Sequence, residues 1–476
     1  MASGRALHPS VPDPTPLLYL ITVASVLLFF ADDLSWTALL LPCIVLLPSM
    51  IYLLSSNLAA AAGVLIAASV MSRFFVEISS LKARPEHIAV GLLCCLVPFV
   101  MKRQALATVW GKADLLLLVY VGLNILSSGF TSPDPSQTLR WAIQQGIAIL
   151  PYFLLRLLAA DETAFRRIFH LFLWIGVVQA AYAIVCFFSN RIFSTEFGMA
   201  LDQYGDIPGT YGLQLEPNLL GSYSSACLVM LLVSYFVKPT GKLLAGIGIT
   251  YAAAAISLSR AAVAGAGLAV LVMLYWGKRL QIIRKDDLIR VGVTVLAISL
   301  FLSPIFVSMY VERFKTLNAS DIEEDTLTGR VVTGALAVED IVAHPLLGTG
   351  TSSFQVTLDS SLAGPEASDW IANSELRIVH DTGILGFGVF LAFLFFLYVP
   401  CWRLLKRKFH LELMALMVAS LVYCVSFQAT EGTLLAFCWV HLGLIGCGLT
   451  LRSAASGVEI QPQDQEHTTK AQRSRK

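Results

Sequence analysis

The sequence predicts an all-α, polytopic integral membrane protein, and three observations predict it. Uncharged apolar runs recur along the whole chain, most of them long enough for a spanning helix of about 20 residues. Charge is scarce: Asp, Glu, Lys and Arg make up 14% of the 476 residues, against roughly 25% in soluble domains, while 56% are hydrophobic. The short alternating segments of a transmembrane barrel are absent from the sequence.

The apolar runs fall at 16–31, 34–54, 57–77, 88–101, 113–128, 139–159, 166–188, 216–237, 242–258, 261–276, 291–310, 381–400, 411–428 and 433–451. That is about 12–14 transmembrane helices, because the early runs are ambiguous. Leu34 to Ser72 is one uncharged stretch, which reads as two helices parted near Ser55-Ser56-Asn57. The run at 88–101 is short and reads as a span or a re-entrant segment. Residues 1–15 are polar and Pro-rich, and 452–476 read as a disordered tail.

Orientation follows from Lys and Arg in short loops. Lys278, Arg279, Arg284, Lys285 and Arg290 crowd one loop, Arg403, Lys406, Arg407 and Lys408 another, and Arg156, Arg166 and Arg167 flank a third. All three fall on one side, with both termini, which makes that side cytoplasmic. Ser79 to His87, with Lys82 and Arg84, counts to the other side and disagrees.

Two hydrophilic segments face outward on this count, a smaller one near 189–215 and a larger one at 311–380. The larger carries eleven acidic residues against Arg313, Lys315, Arg330 and Arg377. Apolar residues at helical spacing (Val331, Ala335, Val338, Ile341) and the turn His344-Pro345-Leu346-Leu347-Gly348-Thr349-Gly350 make it an ordered loop. The final spans then occupy 381–451.

Net charge is +1, so no global basic field favours nucleic acid. The nine cysteines sit mostly inside apolar runs and lack metal-type spacing. The histidines are dispersed, and no acidic pair resembles D-x-D. The sequence calls for no metal and no cofactor.

The most informative stretch is Ile256-Ser257-Leu258-Ser259-Arg260-Ala261-Ala262. It sets one arginine between two uncharged apolar segments, a helix length away from the nearest strong basic cluster. A boundary arginine can simply snorkel. Its place at the outer surface also suits an anionic ligand.

Four segments, in order, carry a family likeness. They are Tyr211-Gly212-Leu213-Gln214-Leu215-Glu216-Pro217-Asn218; Ser257-Leu258-Ser259-Arg260-Ala261-Ala262; Thr328-Gly329-Arg330 with the later Ala343-His344-Pro345-Leu346-Leu347-Gly348-Thr349-Gly350; and Asn373-x-x-Leu376 followed by Asp381-Thr382-Gly383-Ile384-Leu385-Gly386. This set resembles the O-antigen ligase and O-antigen polymerase superfamily of bacterial envelope glycosyltransferases, over about residues 110–450. The resemblance implies a GT-C-like membrane fold in the bacterial inner membrane. It also implies a polyprenyl-diphosphate-linked oligosaccharide as substrate, with other polysaccharide assembly proteins as possible partners. Ligase-like members usually carry His-Asn where this chain has Ala372-Asn373. That departure favours polymerisation of O-antigen or exopolysaccharide over ligation to lipid A core or another acceptor. A lipid-linked glycan flippase is the reading from another class. Against it, the sequence shows no internal repeat and no matched pair of broken helices.

Given that substrate, the leaving diphosphate needs charge stabilisation, and arginine offers a planar fork that stays protonated. Arg260 and Arg330 take that role, with Arg377 as a further contact. The acceptor hydroxyl needs a proton acceptor, for which Glu216 and His380 stand out. Glu216 reads equally as a cap for the helix after Pro217. Asn218, Asn373, Ser259 and Asp381 are candidate substrate contacts, and Asp381 also reads as a plain N-terminal cap. Glu375 reads as a partner for Arg377, and Glu431 as a solvated turn or a wall of the same cavity.

Overall fold

The computed structural model describes residues 57–78, 81–100, 110–200, 209–315, 326–357 and 370–455. The expected spans at 16–31 and 34–54, the polar segment 1–15 and most of the tail 452–476 lie outside the described residues. Where described, the chain is almost wholly helical. Besides the single turn Phe354–Thr357, the helices are α1 Leu58–Ser69, α2 Pro85–Val100, α3 Lys112–Phe130, α4 Pro135–Leu158, α5 Glu162–Phe193, α6 Pro217–Val237, α7 Gly241–Ile256, α8 Arg260–Arg279, α9 Lys285–Lys315, α10 Thr326–Ala343, α11 Ser374–Arg407, α12 Leu411–Ser426 and α13 Ala436–Ala455. Two small antiparallel ribbons interrupt them: β1 Val76–Ile78 with β2 Leu81–Ala83, and β3 Met199–Ala200 with β4 Gly209–Thr210.

Eight of the described helices are long and apolar enough to cross a bilayer: α3, α4, α5, α6, α8, α9 over Lys285–Ile305, α11, and α13 over Ala436–Ser453. The shorter apolar helices are α1, α2, α7 and α12. The protein is therefore a multi-pass helical membrane protein. Helix α6 is its axis. It packs against α7, α8, α12 and α5, and nearly every residue from Leu219 to Phe236 is buried. Around it, α3 pairs with α11 and α13 with α4. The rim helices α8 and α9 expose Leu271, Tyr275, Leu296, Leu300 and Phe301, an apolar exterior suited to lipid.

Local chemistry sets the helix starts. Asp134 accepts from Gln137 N–H ahead of Pro135, and Asp161 accepts from Ala164 N–H. Two expectations change. The run at 57–77 yields only the short α1, because Ser69 ends the helix and Ser72 and Arg73 are tied elsewhere. Ser69 Oγ donates to Ile66 O (2.7 Å), Ser72 Oγ to Gln214 Oε1 (3.0 Å) and Arg73 N–H to Leu213 O (3.3 Å). Helix α11 starts at Ser374, where the hydrophobic run placed its span at 381, because Asn373 Oδ1 accepts from Leu376 N–H (2.8 Å). In α10 the apolar stripe is not the buried face. Val331 and Val338 are 65% and 49% exposed, while Gly329, Thr333 and Ala337 turn inward.

Candidate functional site: a spliced helix and two acidic loops

Helix α11 breaks at Gly383, whose φ of 65° and ψ of −171° belong to a region open essentially to glycine alone. A break inside a spanning helix strands backbone polar groups, which the bilayer cannot satisfy. The turn after α10 satisfies them. Ile384 N–H donates to Pro345 O (2.9 Å) and Leu385 N–H to Leu346 O (3.3 Å). In return, Thr349 N–H donates to His380 O (2.9 Å) and Gly350 N–H to Asp381 O (3.0 Å). A Cβ on Gly383 would strike the Leu346 carbonyl, and one on Gly348 the His380 carbonyl. The glycine-rich turn 344–350 and the Asp381-Thr382-Gly383 segment thus fit each other. The N–H groups of Thr349 and Gly350 serve the helix.

This splice carries a buried charge network. Arg377 Nε bonds Asp381 Oδ2 (3.2 Å), its Nη1 pairs with Glu431 Oε1 (2.9 Å), and its Nη2 donates to Ser352 Oγ (3.3 Å). His380 lies between Asp381 (3.0 Å) and Asp340 of α10 (3.2 Å), with Thr349 Oγ1 at 3.3 Å and the Phe354 ring edge-on. His380 is 0% exposed and Arg377 only 3%. Trp370, itself edge-on to Trp141, lies under the Arg377 guanidinium.

The second group surrounds the start of α6. Glu216 occupies the N-cap position yet makes no capping bond with its side chain. Its carboxylate instead accepts from Thr430 Oγ1, and Thr430 is the neighbour of Glu431. Loss of water around this half-buried carboxyl raises its pKa above the ordinary value, with Thr430 and Arg330 opposing the rise and Glu431 adding to it. One turn on, Gly221 admits the Ser257–Ala262 segment: a Cβ there would meet Ser257, Ser259 and Ala262. Ser257 Oγ donates to Ala254 O (2.7 Å) at the end of α7, and Ser259 Oγ accepts from Ala262 N–H (3.4 Å) at the start of α8. That stop-and-restart puts Arg260, exposed, on the first turn of α8. There the helix dipole already favours an anion.

The structure thus brings Glu216, Arg330, Ser259 and Arg260 to one end of the bundle, with Asn218 partly exposed in the first turn of α6. Other expectations change. His380 has no face open to a substrate hydroxyl, so a role as catalytic base does not fit its burial. Arg377 and Asp381 are engaged with each other, and Asp381 sits inside α11 and does not cap it. Ser259 is a buried cap. Asn373 caps α11 and also donates to Gln428 Oε1 (2.9 Å). Gln428, not Arg377, is the partner of Glu375 (2.7 Å). Glu431 both closes its own turn, through Thr433 and Leu434 N–H, and pairs with Arg377.

Asp340, Ser352 and Thr430 lie outside the sequence motifs, and Ser352 and Thr430 carry no sequence signal of their own. One was legible for Asp340: it is an acid on the α10 face shared by Thr333 and Ala337, opposite the apolar stripe. The fold and this site define a multi-pass helical membrane protein with a polar, charge-rich cluster at one end of its bundle. No protein-family model and no curated protein sequence matches the chain.

Proposed function

We propose that the protein is a polysaccharide polymerase of the bacterial inner membrane, acting at its outer face on O-antigen or exopolysaccharide repeat units. It would transfer glycan from a polyprenyl-diphosphate carrier to the next lipid-linked unit. The observation that carries this reading is Glu216: an acid at a helix start whose side chain does not cap, held between Thr430 and the charge of Arg330. The Glu216 carboxylate takes the proton of the acceptor hydroxyl as its oxygen attacks the anomeric carbon. The bond from that carbon to the diphosphate oxygen breaks, and polyprenyl diphosphate leaves. Arg260 and Arg330 meet its growing charge.

Two further observations favour a lipid-linked substrate at this end. The basic ends of α8 and α11, with Lys278, Arg279, Lys406 and Arg407, lie at the opposite end of the bundle, the pattern of a cytoplasmic face. The outward stripe of α10, with Val331, Val338 and Val342, runs toward Leu346 and reaches the exposed Ile384 and Leu385 of α11. A helix with such a stripe beside a spanning helix suits the bilayer interface.

The test is deletion of the gene in its source organism, with complementation by wild type, Glu216→Gln or Arg260→Ala. Glycan chain length is then read on the lipid carrier and on the finished polymer. Loss of long chains with single units accumulating supports a polymerase. Long chains collecting on the carrier would make the protein a ligase. Units trapped on the cytoplasmic leaflet would make it a flippase and overturn the reading.

A further inference from the structure

Arg73 lies just past α1, at the same end of the bundle as Glu216. Its guanidinium sits 4.0 Å from the centre of the Tyr211 ring. Its backbone N–H bonds Leu213 O, and the adjoining Ser72 Oγ bonds Gln214 Oε1. These contacts sew it to the loop that ends at Glu216.

Two donors on this seam are buried with no hydrogen-bond partner among the described residues: Arg73 Nη1 and Gln214 Nε2. Gln214 is 0% exposed, and its other amide atom is already committed to Ser72. Neither of the two unmet groups is an acceptor. Arg156, Arg377 and Arg452 each lie against a carboxylate. Arg73 lies against none among the described residues. Burial lowers its pKa, and the described groups that oppose this are Tyr182 and Cys186, which are not charged acids at neutral pH. Burying part of a cation without a counter-charge is unfavourable, and one aromatic ring offsets little of it. A bound anion would supply both missing partners at once, since a phosphoryl group accepts from a guanidinium fork and an amide together.

We propose that Arg73 and Gln214, with Tyr211 as the platform, form a binding site for the phosphate of a lipid. On the reading above, which this deepens, that group is the diphosphate of the polyprenyl-linked substrate. The same chemistry could be met by a phospholipid headgroup, so the experiment carries both. It also explains a residue that the motif pattern left out: Arg73 reaches the Tyr211–Asn218 segment from outside it.

The full-length protein is placed in phosphatidylcholine nanodiscs and titrated with geranylgeranyl diphosphate, and separately with phosphatidylglycerol. Wild type is compared with Arg73→Gln and Gln214→Ala. Arg73→Gln is expected to weaken diphosphate binding about tenfold or more, and Gln214→Ala to weaken it less. Without ligand, Arg73→Gln should melt no lower than wild type, because it removes a cation that has no carboxylate partner among the described residues. A merely structural arginine would lower the melting temperature instead, and that result counts against the site.

Selective loss of geranylgeranyl diphosphate binding supports the substrate diphosphate. Selective loss of phosphatidylglycerol supports a headgroup site. Unchanged binding of both overturns the proposal. If Arg73→Gln does not fold, Gln214→Ala decides alone, on the same outcomes. If wild type binds no diphosphate at all, the polymerase reading falls, while the phosphatidylglycerol arm still judges the anion site.

Discussion

At the end of the bundle where α3, α5 and α12 begin, arginines and carboxylates are matched. Arg452 bonds Glu162 (2.9 Å) and Glu412 (2.7 Å), Arg166 reaches the same two acids, and Arg156 pairs with Asp114 and donates to Thr450 (2.8 Å). At the end where α6, α8 and α11 begin, the charges are shared rather than matched pair by pair. Arg377 serves both Asp381 and Glu431, His380 lies between Asp340 and Asp381, and Glu216 has Thr430 as its bonded partner. The first network ties α3, α4, α5, α12 and α13 together and asks nothing of a ligand. The second braces a broken helix and leaves one dehydrated carboxyl beside arginines. A dehydrated carboxyl with a raised pKa marks a candidate site, whereas matched pairs mark a joint.

The largest expected effect tests that distinction at Glu216. Glu216→Gln should lower glycan transfer by roughly a hundred- to ten-thousandfold, the usual contribution of a positioned acid or base, while the protein remains folded. Its raised pKa fixes the pH dependence. In the proposed mechanism the acting form is the carboxylate, so activity should fall as pH is lowered through a value above the ordinary 4.5. For stability the sign is opposite to that of a salt-bridged acid. The contribution is present below the unfolded pKa and is lost as pH rises through the folded one. Glu216→Gln should therefore melt no lower than wild type at neutral pH, and a pH series of melting temperatures checks this.

Next in size are Arg377→Met and Arg452→Met, one in each network. Arg377→Met strands the buried Asp381 and Glu431 and should destabilise by about 3–5 kcal/mol, whereas Arg452→Met should cost less, because Arg166 still reaches Glu162 and Glu412. The comparison breaks if their effects on activity per folded molecule are alike. Arg377→Met should lose activity and Arg452→Met should keep it, as measured on protein separated from aggregate by gel filtration.

A smaller loss, at least about 1–3 kcal/mol, is expected for Gly383→Ala from backbone strain alone. The clash with Leu346 adds to it, and expression level with thermal unfolding reads the sum. Smallest is Asn373→Ala, which removes a cap and should cost about 1 kcal/mol. A loss well beyond that would mean that its bond to Gln428 organises the acidic loops.

Most spans were legible because a bilayer imposes one demand, a long uncharged run, and residues 113–128 or 216–237 meet it without reference to anything else. The Tyr211–Asn218, Ser257–Ala262 and Gly348–Gly350 motifs were legible as patterns for the same local reason: a cap, a stop-and-restart and a tight turn are each written within a few neighbouring residues. What they do was not. Ser259 reads as a substrate contact until its hydroxyl is seen opening α8. His380 reads as a base until Asp340 and Phe354 enclose it.

The sequence by itself determined a helical membrane protein, the places where its chain turns, and the cations and acids available at each turn. The tertiary structure alone decided which of these are consumed inside the fold. Asp340 meets His380 across forty residues, Thr430 meets Glu216 across 214, and Arg73 meets Tyr211. Hydrogen bonds and charges act over a few ångströms of space, and sequence distance carries no record of that proximity.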